Sequence, residues 1–127
     1  MGVLWTIPAR ARQEGYCAAI DSAGGAESWE LAPQLQAAMT RAVHSAKVPI
    51  FFFQAENDWS LAPTKTLSAA MKEEGKPYAA KIYPPYGKSH QDGHTFGYFG
   101  LAVWENDVFQ FLDLHCGINR PLADAHS

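Results

Sequence analysis

Apolar runs closed by glycine, proline or polar clusters recur along the chain. The sharpest is PIFFFQAENDWS, residues 49–60, where Ile50, Phe51, Phe52 and Phe53 stand in succession before Gln54, Glu56, Asn57 and Asp58. Successive strand residues face opposite ways, so an unbroken apolar run needs cover on both faces. That is the pattern of a strand inside a parallel sheet with helices on each side. YCAAIDSAGG reads as a second buried strand, stopped by Gly24 and Gly25, and YAAKIYP, residues 78–84, as a third. Between them, Leu31, Leu35, Ala38, Met39, Ala42 and Val43 recur at helical spacing, with Pro33 in the first turn. Leu67, Ala70 and Met71 mark another helix, ended by Gly75. A loop rich in Gly and Pro is expected from Pro84 to Gly100. A last helix carries Trp104, Val108, Phe111 and Leu112 on one face, and the residues from Gly117 onward form a polar tail.

The order is βαβαβ, a long loop, then α. Strands joined through helices make right-handed crossovers and lie parallel, so all three end on one edge of the sheet. Sites in open α/β sheets form at that carboxyl edge. Asp58 follows the second of these strands. The loop after the third holds GKSHQDGHTFGYFG, with His90 and His94. A carboxylate beyond one strand and an imidazole beyond the next are two members of a nucleophilic triad. The acid fixes the imidazole tautomer, and the imidazole takes a proton from a Ser or Cys.

Composition narrows the classes. The chain has 127 residues, enough for one domain with a core. Ten basic and 13 acidic residues give a net charge of -3; with no basic patch, nucleic acid is not an expected partner. Cys17 and Cys116 lie far apart in the chain. They imply neither a disulfide framework nor a metal knuckle, and fit a reducing cytoplasm, the expected location. No apolar run spans a membrane, and the N-terminus lacks the form of a secretory signal. MGVLWT fits the loose myristoylation pattern, which an ordinary start also satisfies.

FFFQAENDWSLAP, KIYPPYGKSHQDGHTFGYFG and the final amphipathic helix resemble the C-terminal part of an α/β-hydrolase, of the dienelactone hydrolase-like family. The resemblance covers roughly residues 16–114. It implies three parallel strands with flanking helices, an N-terminal extension over residues 1–15 and a C-terminal tail over 115–127. It implies hydrolysis of a small-molecule ester or lactone, Asp58 and His94 as the catalytic acid and base, and no cofactor or metal. His90 matches nothing in the pattern.

One departure is large. Such hydrolases carry the nucleophile on a G-x-S-x-G or G-x-C-x-G elbow upstream of the segments seen here, and this chain has none. A fragment inactive alone is therefore expected. Cys17 begins a strand instead of following one. Ser22 is at the correct edge, but Ile20 replaces the first elbow glycine, so a turn serine is the better reading. His90, Asp92 and His94 in HQDGH are three close donors without a zinc-like spacing. Trp59, Tyr83, Tyr86, Phe96, Tyr98 and Phe99 either line a pocket or pack the loop. The alternative to an enzyme piece is a non-catalytic relic or interaction module that pairs through an open sheet edge. That edge belongs to YCAAIDS, because MGVLWTIPARARQ, with its proline and charges, reads poorly as a central strand. A flavodoxin-like ligand binder is weaker still, since no glycine-rich phosphate loop opens a helix.

Overall fold

The computed structural model describes the backbone of residues 3–8, 16–23, 26 and 28–117, and the side chains from Cys17 onward within that set. Its strands are β1 (Val3–Pro8), β2 (Tyr16–Ser22), β3 (Ile50–Ala55) and β4 (Tyr78–Tyr83). They lie side by side in chain order in one sheet. β2, β3 and β4 run parallel, with Ser22 beside Phe53 and Ala55 beside Tyr83 at the carboxyl edge. Helix α1 (Pro33–Ser45) crosses from β2 to β3, and α2 (Ala62–Glu73) from β3 to β4. The parallel α/β core thus has the layout its apolar periodicity demands.

All six residues of β3 are buried, and alternation divides them between two cores. Phe51, Phe53 and Ala55 pack with Ile20 against Trp104, Val108, Phe111 and Leu112 of helix α5 (Leu101–Cys116). Ile50 and Phe52 pack with Ala19 against Val43 of α1 and Leu67, Ala70 and Met71 of α2. The first core is aromatic. Phe53 meets Tyr83 edge-on at 5.8 Å between ring centroids and Trp104 at 5.1 Å. Helix α2 ends where expected: Gly75, at φ 68°, takes the left-handed conformation, and Lys76 N–H bonds back to Met71 O.

Five expectations need correction. Residues 1–15 are not merely an extension, because β1 pairs antiparallel with β2, Val3 opposite Ser22, along the edge expected to be open. VLWTIP is rich in β-formers, and an edge strand pairs on one side only. It therefore tolerates a terminal proline where a central strand would not; the register breaks between Ile7 and Pro8. Second, Cys17 and Cys116 form a disulfide, with Cα atoms 5.4 Å apart. The fold brings the start of β2 to the end of α5, so cysteine usage no longer supports a reducing compartment. Third, the stretch from Pro84 to Gly100 contains two short helices, α3 (His90–His94) and α4 (Phe96–Phe99). Fourth, the boundary at residue 114 falls inside α5, which continues to Cys116; the tail from residue 118 lies outside the described residues. Leu31 also departs from its expected core face. It sits in a 3-10 turn ahead of α1, out of phase with the helix, and is 89% exposed. Among the described residues no helix is long and apolar enough to cross a membrane.

Candidate active site

The chain leaves β3 for α2 on one face of the sheet and leaves β4 for α5 on the other. Neighbouring strands whose connections diverge open a crevice at their carboxyl ends. Asp58 and His94 occupy that place. Asp58 lies in the turn after β3, where its N–H bonds to Ala55 O at 3.1 Å. His94 ends α3, in the loop after β4.

Their side chains meet. His94 Nδ1 donates to Asp58 Oδ1 at 3.0 Å, with the residues only 5% and 4% exposed. A buried carboxylate of this kind needs several donors, and Asp58 has them. Trp59 N–H donates to Oδ1 at 2.6 Å, and Gln54 Nε2 donates to Oδ2 at 2.9 Å. Gln54 is itself fixed: Nε2 also donates to Ser60 O at 2.7 Å, and Oε1 accepts from Thr64 N–H at 3.2 Å.

The bond fixes the tautomer. An ionised carboxylate offers only acceptors, so Nδ1 carries the proton and neutral His94 keeps its lone pair on Nε2. Nε2 is buried and has no hydrogen-bond partner among the described residues. An unpartnered buried polar atom costs about 1–3 kcal/mol, and such atoms concentrate where chemistry or a ligand uses them. The pair therefore presents an oriented imidazole with a basic nitrogen held in reserve, the arrangement a general base requires.

Local chemistry places His94. Ser89 caps α3: its hydroxyl accepts from Asp92 N–H at 3.0 Å, and Asp92 Oδ2 accepts from Ser89 N–H at 3.3 Å. Lys88 N–H donates to the same oxygen at 2.8 Å. These backbone donors from Lys88 and Ser89 hold the Asp92 carboxyl below the usual carboxylate range. The S-x-x-D spacing in SHQD is the sequence signal for this helix.

The other candidates divide. His90 is exposed, with Nδ1 on Asn57 O at 3.1 Å and its ring against Trp59. His90, Asp92 and His94 thus face three different partners, and among the described residues no group of three donors is arranged to hold a metal. Ser22 is buried. A Cβ placed on Gly97 of α4 would lie 2.3 Å from its hydroxyl oxygen, so Ser22 packs against the helix backbone. Cys17 is spent in the disulfide. Of the aromatic residues, Tyr83 and Phe96 belong to the core, whereas Trp59, Tyr98 and Phe99 are exposed.

Comparisons with protein-family models, curated proteins and solved structures returned no match.

Two polar residues of the site were not legible as such. Gln54 interrupts an otherwise apolar buried strand, a signal that it must bond to something nearby. Asn57, one of the polar cluster that ends the apolar run, reaches across to the loop after β4. Farther along β4, Tyr83 O–H donates to Asp107 Oδ2 at 2.6 Å, and Lys81 Nζ joins the same oxygen at 3.0 Å. Burial, then this bond, pushes the Tyr83 hydroxyl far above the usual tyrosine range. The Tyr83 and Lys81 bonds hold the Asp107 carboxyl below its own.

Proposed function

We propose that this chain supplies the acid–base pair of a dienelactone hydrolase-like α/β-hydrolase, acting on an ester or lactone. The observation that supports it most is the buried Asp58–His94 bond, which leaves Nε2 of His94 unpartnered. In this reading Nε2 removes the proton from a nucleophile as it attacks the carbonyl carbon, then returns it to the leaving oxygen. Asp58 holds the ring and stabilises the imidazolium. Neither nucleophile candidate is free to serve: Ser22 is packed against Gly97 and Cys17 is a disulfide half. The nucleophile and its oxyanion hole come from a further segment or a second chain, and the 127 residues alone are inactive.

The test co-expresses the chain with the reading frame encoded immediately upstream and assays an activated aryl ester. Hydrolysis that His94→Gln abolishes is the expected result, with no turnover by the chain alone. Stoichiometric phosphonate labelling of Ser22 in the isolated chain would overturn the assignment of the nucleophile. Absence of hydrolysis in every combination would favour the second reading, a non-catalytic interaction module. Its support is the set of large apolar side chains left exposed, among them Leu31, Tyr98, Phe99 and Leu101. Pairing through the edge of β2 would then require β1 to move, since β1 already fills that edge.

A further inference from the structure

We propose that Asn57 is a positioning residue that seats the His94 loop on the end of β3, an inference that rests on the acid–base reading of the Asp58–His94 pair. Asn57 precedes Asp58 in the turn and is half-buried. Its Nδ2 donates to Tyr86 O at 2.9 Å and to Ser89 O at 2.8 Å, and its Oδ1 accepts from Tyr86 N–H at 2.8 Å. Its own carbonyl accepts from His90 Nδ1 at 3.1 Å. Both amide hydrogens and the amide oxygen are therefore engaged, and all three reach backbone atoms of the loop. Two carbonyls on one side and an N–H on the other permit one orientation of the amide.

Contact continues up to the residue before His94. A Cβ on Gly93 would lie 2.7 Å from the carbonyl carbon of Asn57 and from its Cγ and Oδ1. The loop is thus fitted against Asn57 from Tyr86 to Gly93, and His94 is the next residue. Among the described residues, the other side-chain bonds from the β3 turn to this loop are the Asp58–His94 bond and a 3.4 Å contact from Trp59 Nε1 to Gln91. Neither anchors the stretch from Tyr86 to Ser89. Without the Asn57 amide the loop lifts there, and Nδ1 of His94 loses its fixed approach to Asp58. Asn57 touches no reacting atom; it acts through His94.

The readout is the imidazole 15N–1H spectrum of the full chain, with the His94 signals assigned by their loss in His94→Gln. Wild-type protein should show an Nδ1–H proton on His94 that exchanges slowly with water. In Asn57→Ala that exchange should quicken by about tenfold or more, as loss of the anchoring bonds lets the loop open, while the circular-dichroism spectrum stays native. Asn57→Asp keeps an acceptor for Tyr86 N–H but sets a carboxylate against two carbonyl oxygens, and should show the same quickening. A His94 signal unchanged in folded Asn57→Ala or Asn57→Asp would overturn the proposal. So would global unfolding of both variants, since Asn57 would then be needed for the fold as a whole. The measurement uses the chain alone and no substrate. A failure of ester hydrolysis on co-expression therefore bears on the reaction, and a failure here bears on Asn57.

Discussion

Reduction of the Cys17–Cys116 disulfide should cost this protein a large part of its stability. The bond joins residues 99 apart in sequence. Closing a ring of that size removes roughly 16 cal/mol/K of chain entropy from the unfolded state, or about 4–5 kcal/mol at 25 °C. A domain of this size has a total stability of about 5–15 kcal/mol, so the bond decides whether the fold has a margin at all. It also holds the last residue of α5 at the start of β2, beside Phe111 and Leu112 in the aromatic core. With a urea m-value of about 1–3 kcal/mol/M, the unfolding midpoint should fall by about 1.3–5 M on reduction. The assay is urea unfolding followed by tryptophan fluorescence, comparing oxidised protein, protein with a phosphine reductant, and Cys17→Ser and Cys116→Ser. All three reduced forms should match one another and lie below the oxidised form. Two titratable thiols in freshly purified, unreduced protein, or midpoints that coincide, would refute the reasoning.

Other outcomes follow from the site and its surroundings. Gln54→Leu strips a donor from Asp58 and leaves Ser60 O and Thr64 N–H unpaired in a buried place. It should cost about 2–4 kcal/mol in urea unfolding despite its apolar character, and a neutral or stabilising result would count against the bonding of the Asp58 carboxylate. The Tyr83–Asp107 pair gives a pH dependence with two signs. Asp107 is held below its unfolded value, so its contribution is present above the ordinary carboxylate range near pH 4 and fades as pH falls through the folded value. Tyr83 is raised, so its contribution is present below about pH 10 and fades only as pH rises through a folded value well above that. Absorbance near 295 nm should show one tyrosine that fails to ionise with the rest until the fold is lost, and Tyr83→Phe should remove that laggard.

How much of this was legible in the chain depended on the range of the interaction. The apolar run 50–53 specified β3 because burial on two faces leaves no freedom in residue type, and Pro33 and Gly75 marked helix ends through local backbone chemistry. Asp58 and His94 could be set on one edge by topology alone, since parallel strands share a direction. Which histidine turned inward came from the resemblance, and the 3.0 Å bond to Asp58 is consistent with that choice. By contrast, β1 was hidden because Pro8 argues against a central strand and says nothing against an edge. The disulfide depends on two segments 99 residues apart meeting, which no local pattern records. Asn57 was opaque for a similar reason. Its partners are backbone atoms about 30 residues away, and any sequence there offers the same N–H and C=O groups. Leu31 misled because helical spacing was extended back across a 3-10 turn, which changes the angle per residue.

The contact between Ser22 and Gly97 constrains the order in which this chain can change over evolutionary time. A first methyl carbon at position 97 would meet the Ser22 oxygen at 2.3 Å and its Cβ at 3.0 Å. A lineage that tries alanine at 97 first must therefore displace α4, and with it the segment that follows His94. A lineage that first shortens position 22 to glycine removes both of these atoms, and alanine at 97 then becomes admissible. The two sites, 75 positions apart along the chain, form one unit of inheritance with a preferred sequence of steps.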